Sequence, residues 1–326
     1  MKRTARSTLA LLCLALPAVA GPLEPPAGPI VPTGKTLSEV EPRTAINQTN
    51  TPGNAYAAFI INKPGSYYLT GNFTVTGTVG IEVQASDVTI DLNGFTISAG
   101  ASGSGSAVRC SSDGQEVWKN FAIRNGNLVG AFTDAALDVD APQSAIENIN
   151  VRGSADYGLA VGPASTIREC FIDSCRIGLS ASIGTIVENC VIRNCTQYGA
   201  SVGDVVIRDC SFSFNGNGIY CYAAAVIESN MFRSNGSGSG AGIILNAAGA
   251  SVQNNSIIGS YFGIQLGAGA TDNLVIRNTV RKGGATGGII MMGQGFGSYP
   301  NNHVAAVVVD PTSPVATTNP LANIQY

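Results

Sequence analysis

The chain has 326 residues, 44% of them hydrophobic and only 12% charged, with 40 glycines, one histidine, one tryptophan and a formal net charge of −3. So much glycine with so few lysines and glutamates argues against a helical protein, whose exposed faces need charge for solubility. The small negative charge, with no basic block, argues against nucleic acid as a partner.

Residues 1–20 read as a signal peptide. Lys2, Arg3 and Arg6 form a basic start, Leu9–Leu16 a short apolar run, and Ala18-Val19-Ala20 a small-residue cleavage site. The run is too short to span a bilayer. A lipoprotein reading would use Cys13, but Leu12 before it is large for that motif. The expectation is an exported chain cut after Ala20, destined for the periplasm, cell surface or medium. No later segment has the length of uninterrupted apolar residues that a spanning helix needs.

Residues 21–55 carry Pro22, Pro25, Pro26, Pro29, Pro32, Pro42 and Pro52 without periodic patterning, which predicts a linker or strap. At 64–72, PGSYYLTGN reads as a turn feeding an aromatic strand. At 86–97, SDVTIDLNGFTI reads as strand, Asn-Gly turn, strand. Residues 100–106, GASGSGS, read as a loop.

From 144 to 224 one pattern is written four times, anchored on Ile146, Ile167, Val187 and Ile207 at spacings of 21, 20 and 20. It continues from Ile227, Val252 and Val275, and its glycine-led second half recurs back to Gly80. A repeat near 20 residues is a solenoid signature, each unit burying its face only against its neighbours. Apolar-x-apolar triplets give short strands, and the unit is too short for a crossover helix. The predicted fold is all-β, a single-stranded right-handed parallel β-helix of about ten coils. It is placed over 56–299, with 56–75 covering its first coil and 300–326 as a C-terminal cap or tail.

Slot by slot, Cys170, Cys190 and Cys210 share one inward position continued by Asn230, Asn255 and Asn278. Cys175 and Cys195 share another, continued by Asn215 and Asn235. Cys-x4-Cys occurs twice and raises metal binding, but ligands must converge and these run in rows along the axis. The expectation is therefore a buried ladder of thiols and stacked amides, with no metal site and no cofactor. Outside, Glu147, Arg168, Glu188, Arg208 and Glu228 alternate in sign coil by coil, which stabilises neighbouring strands.

The outward row of the second half reads Glu82, Arg109, Asp138, Ala160, Ser180, Ser201, Tyr220, Ile244, Gln265, Ile290. Glu82 and Asp138, two coils apart, fall about 9–10 Å from each other, the upper edge of the separation in inverting glycosidases. Glu82, Arg109 and Asp138 are therefore the catalytic candidates, with Asp140 nearby, while Arg109 between the acids also suits a surface ion network. Tyr220 and Tyr222 are the candidate ligand-binding residues. His303 lies in the expected tail with no partner for a triad. Calcium has only Asp138-x-Asp140, and the glycine strings lack a phosphate-binding lysine.

The repeat I-x-x-C/N-x-I-x-x-C/N…G-I, with EPRTAI at 41–46, PGSYYLTGN, DLNGFTI and the closing NPLANIQY at 319–326, resembles exported bacterial right-handed parallel β-helix repeat proteins of the pectate-lyase-like superfamily. The resemblance implies the fold and raises polysaccharide as a partner. It supplies no active site. The Asn-Thr-Asp, Asp-Asp, Gly-His-Gly and Arg-Ile-Lys set of polygalacturonase-like hydrolases is missing, as are the Asp-Pro-His-Asp of alginate epimerases and the arginine setting of pectate lyases. The reading that follows is a non-catalytic glycan- or partner-binding envelope or surface protein, the alternative being a polysaccharide lyase, hydrolase or epimerase with a non-standard site.

Overall fold

A computed structural model describes residues 42–100, 104–112, 117–236, 239–267 and 270–281, together with the backbone of strands Ile290–Met292, His303–Val304, Val307–Val309 and Asn323–Gln325. The expected signal peptide and residues 21–41 of the expected strap lie outside the described residues.

The chain winds as a parallel β-solenoid of three strands per coil. One coil comprises Tyr157–Val161, Thr166–Arg168 and Phe171–Asp173, and the next Ile177–Ala181, Ile186–Glu188 and Val191–Arg193. The anchors pair as read from the spacing, Ile146 with Ile167, then Val187, Ile207, Ile227, Val252 and Val275. Register is this strict because a one-residue slip would turn every inward side chain outward. The first strand of each coil stacks into an eleven-stranded sheet, the other two into a 22-stranded one.

The core is one continuous column of aliphatic side chains, capped laterally by the two polar ladders. All seven cysteines after Cys13 are buried and free. In the first ladder, the Cys190 amide donates to Cys210 Sγ, that of Cys210 to Asn230 Oδ1, that of Asn230 to Asn255 Oδ1, and that of Asn255 to Asn278 Oδ1, the last three at 2.9–3.0 Å. In the second, the amides of Cys195 and Asn215 donate to Asn215 Oδ1 and Asn235 Oδ1. A buried amide at a strand corner thus satisfies backbone that the ladder leaves over.

Each ladder residue follows a corner in the left-handed region. Some fall on asparagine, at Asn189, Asn194 and Asn254. They fall as well on Glu169, Asp209, Ser229 and Arg277 in one row, and on Ser174, Phe214 and Ser234 in the other. The conformation costs about 1 kcal/mol per non-glycine residue, and the paired strands on both sides of each corner hold it in place.

Outside, Arg168 Nε donates to Glu147 Oε1 at 2.6 Å and Arg208 Nη2 to Glu188 Oε2 at 2.9 Å. The alternating signs therefore close as pairs of coils. The Asp173 carboxyl is pushed up by burial, but hydrogen bonds from Asn194, Arg193 and Ser174 outweigh this and hold it below the usual range.

The first coil is built differently from the expectation. Residues 56–75 do not cover it; they are it. Ala57–Ile61, Gly65–Leu69 and Phe73–Val75 each pair in parallel with the coil above. What lies on its outer edge is Thr44–Ile46, parallel to Tyr67–Leu69, with Pro52 bridged to Phe59. Proline ends edge pairing, since it has no donor to offer. Arg43 locks this segment down, over the Tyr68 ring at 4.9 Å and 3.5 Å from Asp91. At the other end, within the stretch expected as a cap, short strands keep the parallel register. His303, expected in a tail, falls in one of them, its strand pairing with Leu274–Val275.

Candidate functional site

The three candidate residues fall in one register column of the eleven-stranded sheet. Ile60 pairs with Glu82, Glu82 with Arg109, Arg109 with Asp138, and Asp138 with Ala160. The column runs on through Ser180, Ser201, Tyr220, Ile244 and Gln265. Its next member is Met291, not Ile290. In the neighbouring glycine row Ala107 stands opposite Gly80, since Val79 pairs with Ser106.

Around Glu82 and Arg109 the surface is a cleft of about 490 Å³, lined by Tyr56, Glu82, Gln84, Arg109, Ser111, Ser112 and Trp118. The repeat does not explain its two aromatic residues. Tyr56 is set by Asn54, whose side chain accepts from the Tyr56 and Ala57 amides at 2.8 Å, while the Tyr56 carbonyl accepts from Thr78 and Val79. Trp118 packs against the core on a stretch tied to the preceding coil, Lys119 N donating to Ser86 Oγ and Asn120 Nδ2 to Asp87 Oδ1. Sequence reasoning missed both. The signal available was their position, in non-periodic segments flanking the coils that carry Glu82 and Arg109, since insertions in a solenoid collect on one face.

Arg109 is held from three sides. Its Nε donates to Ser111 Oγ at 2.8 Å and lies 3.4 Å from Asp138 Oδ2, and its Nη1 donates to Tyr56 Oη at 2.6 Å. Burial works against its charge, but Tyr56, Asp138 and Glu82 outweigh it and raise its pKa. Burial pushes the Asp138 carboxyl up, Asp140 adds to that, and Arg109 offsets part.

Glu82 is the unusual member. It faces outward in the strand alternation, yet is only 7% exposed. Its Oε2 is sealed from solvent with no hydrogen-bond partner. Burial pushes its pKa up to about 7, Arg109 pulling it down and Asp138 pushing it further up. A carboxyl left without donors in a dry wall favours its neutral form.

Tyr220 and Tyr222 do not line this cleft. Tyr220 lies three coils past Asp138's neighbour Ala160, roughly 14 Å along the sheet. Its ring stacks on Tyr198 at 5.0 Å, and its oxygen accepts from Asn246 Nδ2 at 3.0 Å. Tyr222 lies beyond the strand end, its ring against Gly203 and its hydroxyl donating to the Ala181 carbonyl at 3.4 Å. Among the described residues no three of His, Cys, Asp or Glu converge as metal ligands, and no helix is long and apolar enough to cross a membrane.

A family model described as a right-handed β-helix region matches residues 106–257 and 177–309, more than half of the chain. The chain belongs to the right-handed β-helix family. No curated protein matches it. Among solved structures, this β-helix is similar to a tailspike protein double mutant of E. coli bacteriophage HK620, with TM-score 0.59 and 12% identity over 76% of this chain and 54% of that one. It is similar to the A-module of the Azotobacter vinelandii mannuronan C-5 epimerase AlgE6, with TM-score 0.51 and 16% identity over 67% and 68%. It also resembles the Dettilon tailspike protein, with TM-score 0.53 and 12% identity over 83% and 60%. The β-helix thus spans about half the length of the HK620 tailspike.

Proposed function

We propose that this β-helix is a non-catalytic glycan-binding protein that seats a saccharide in the cleft between its first coils. The observation that carries this reading is the composition of the cleft: tyrosine and tryptophan beside a glutamate, a glutamine, an arginine and two serines, on a rigid sheet face. Aromatic faces take the apolar side of a sugar ring, and a few placed polar groups fix its orientation. The AlgE6 module is named for acting on mannuronan, a polysaccharide, and this is consistent with a glycan partner here. Beyond the cleft, the column from Ala160 to Tyr220 offers a flat path along which a longer chain could lie.

A second reading, a polysaccharide-active enzyme, is favoured by one observation. Glu82 is an acid poised near neutrality about two coils from Asp138, and such a pair can divide acid and base roles. One experiment separates the two readings: titration of neutral, acidic and basic oligosaccharides, with product analysis in the same samples. Binding without turnover, weakened at least tenfold by Trp118→Ala, is expected. Turnover abolished in Glu82→Gln or Asp138→Asn would replace the binding reading with the enzymatic one, and no binding to any oligosaccharide would remove both.

The basic start, apolar run and Ala18-Val19-Ala20 support export. The mature protein recovered outside the cytoplasm is expected to begin at Gly21. Recovery of the intact amino terminus in the cytoplasm would overturn this.

A further inference from the structure

A binding cleft is usually lined by polar groups that already have partners or open to water. Here one wall carries an acid with an oxygen that has neither. Glu82 is 7% exposed, one of its oxygens is sealed with no donor, and the carboxyl borders the cleft. Whatever fills the cleft removes the last water from it. We propose that the cleft is a proton-linked site for an uncharged saccharide: seating the sugar drives a proton onto the Glu82 carboxyl. This inference rests on the glycan reading above and adds to it the charge class of the ligand and the sign of its pH dependence.

The charge class follows from the surroundings of Glu82. The cation among the cleft-lining residues is Arg109, and it is engaged by Ser111, Asp138 and Tyr56. An acidic sugar would have to take Arg109 from Asp138 while lying near Asp138, with Asp140 and Asp134 acting on the same strand. An uncharged sugar leaves these bonds intact. An amino sugar would keep Glu82 ionised and reverse the pH dependence. The charged groups acting on Glu82 are Arg109 on the next strand and Asp138 on the one after; the Tyr56 phenol acts on Arg109, Asp140 acts on Asp138, and Cys110 lies on the inner face of the Arg109 strand. The Cys110 thiol is pushed up to about 12 by burial and stays neutral.

The sign follows from linkage. Covering Glu82 further disfavours its charged form, so the bound state holds the proton more tightly than the free state. Free Glu82 is half-protonated at about 7. Binding therefore tightens as pH falls through that value and levels off below it. One unit of upward shift on binding corresponds to about tenfold tighter binding at the acidic limit than at the alkaline one.

The test is calorimetric titration of the full-length mature protein with neutral hexaoses (β-1,3-glucan, β-1,4-glucan and α-1,4-glucan series), oligogalacturonate and a chitosan hexamer. Each is run at pH 7.5 in two buffers of different ionisation enthalpy. Expected is a neutral oligosaccharide as the tightest ligand, a buffer-dependent heat reporting proton uptake, and affinity about threefold to tenfold higher at pH 6 than at pH 8.5. Glu82→Gln, an isostere of the neutral acid, is expected to bind with pH-independent affinity and no uptake. Preference for the acidic or basic oligosaccharide, equal heats in both buffers, or uptake that survives in Glu82→Gln overturns the inference while leaving glycan binding standing. No saccharide binding at all removes the glycan reading and this inference with it. Should Glu82→Gln fail to fold, the wild-type buffer comparison and pH series decide alone.

Discussion

Asn255→Leu is expected to destabilise the β-helix by about 3–5 kcal/mol, because buried donors and acceptors left unpaired cost about 1–3 kcal/mol each and do not add fully. Asn255 is 1% exposed. Its Oδ1 accepts from the Asn230 amide at 2.9 Å and from Asn230 Nδ2 at 3.1 Å. Its Nδ2 donates to the carbonyls of Ile227 and Gln253 and to Asn278 Oδ1. Leucine keeps the branching, is larger, and supplies none of these bonds, so groups on three coils lose a partner at once. Cys190→Ala, in the same ladder and also 1% exposed, removes one thiol that sits 3.3 Å and 3.8 Å from two carbonyls. Its cost is expected to stay near 1–2 kcal/mol, that of trimming a small buried hydrophobe. Urea unfolding of the two variants decides the matter. If Asn255→Leu costs no more than Cys190→Ala, the amides are merely fillers and the ladder argument fails.

The second large effect is steric. A Cβ on Gly178 would lie 2.5 Å from the Gly199 carbonyl oxygen, 2.5 Å from Ile192 Cγ2 and 3.0 Å from Cys195 Sγ. Gly178 does not have a left-handed backbone. Its requirement is space, since the next coil's backbone approaches there. The Gly199 carbonyl belongs to a strand of the eleven-stranded sheet and cannot retreat without opening the stack. Gly178→Ala is expected to cost about 2–4 kcal/mol, at or above the usual range for overpacking, because the obstacle is backbone as well as side chain. Gly71, where a Cβ meets nothing within 4 Å, is the control, and Gly71→Ala should stay within about 0.5 kcal/mol. Thermal melts showing equal shifts for the two alanines would refute the close-approach account. The row is not uniform: Ala107 and Ala136 occupy it in earlier coils, where both are fully buried. So the glycine demand holds at Gly80 and again from Gly158 onward, and lapses at the two coils between them.

The enzymatic alternative and the binding reading meet at Glu82 and Arg109, and the geometry bears on both. Arg109 sits between Glu82 and Asp138 and is bonded to the second of them. The ion network expected for a plain surface and the poised acid expected for a site therefore coexist, one on each side of the same guanidinium.

What the sequence by itself determined is the stack. In a parallel solenoid the repeat in sequence is also the repeat in space, so residues 20 apart become neighbours and each slot can be read as a column. That is why Ile146 through Val275, the cysteine–asparagine ladders and the alternating charges were legible from spacing alone. Where the period lapses, legibility lapses with it. That Thr44–Ile46 would lie along the first coil, and that Tyr56 and Trp118 would line one cleft with an outward glutamate, were decided only by the tertiary structure. Non-repeating segments carry no columnar constraint, and their placement depends on single local bonds such as Asn54 to Tyr56 and Ser86 to Lys119. The burial of Glu82, 7% exposed at an outward position, is likewise tertiary, since burial is a property of what covers a residue and not of the strand that carries it.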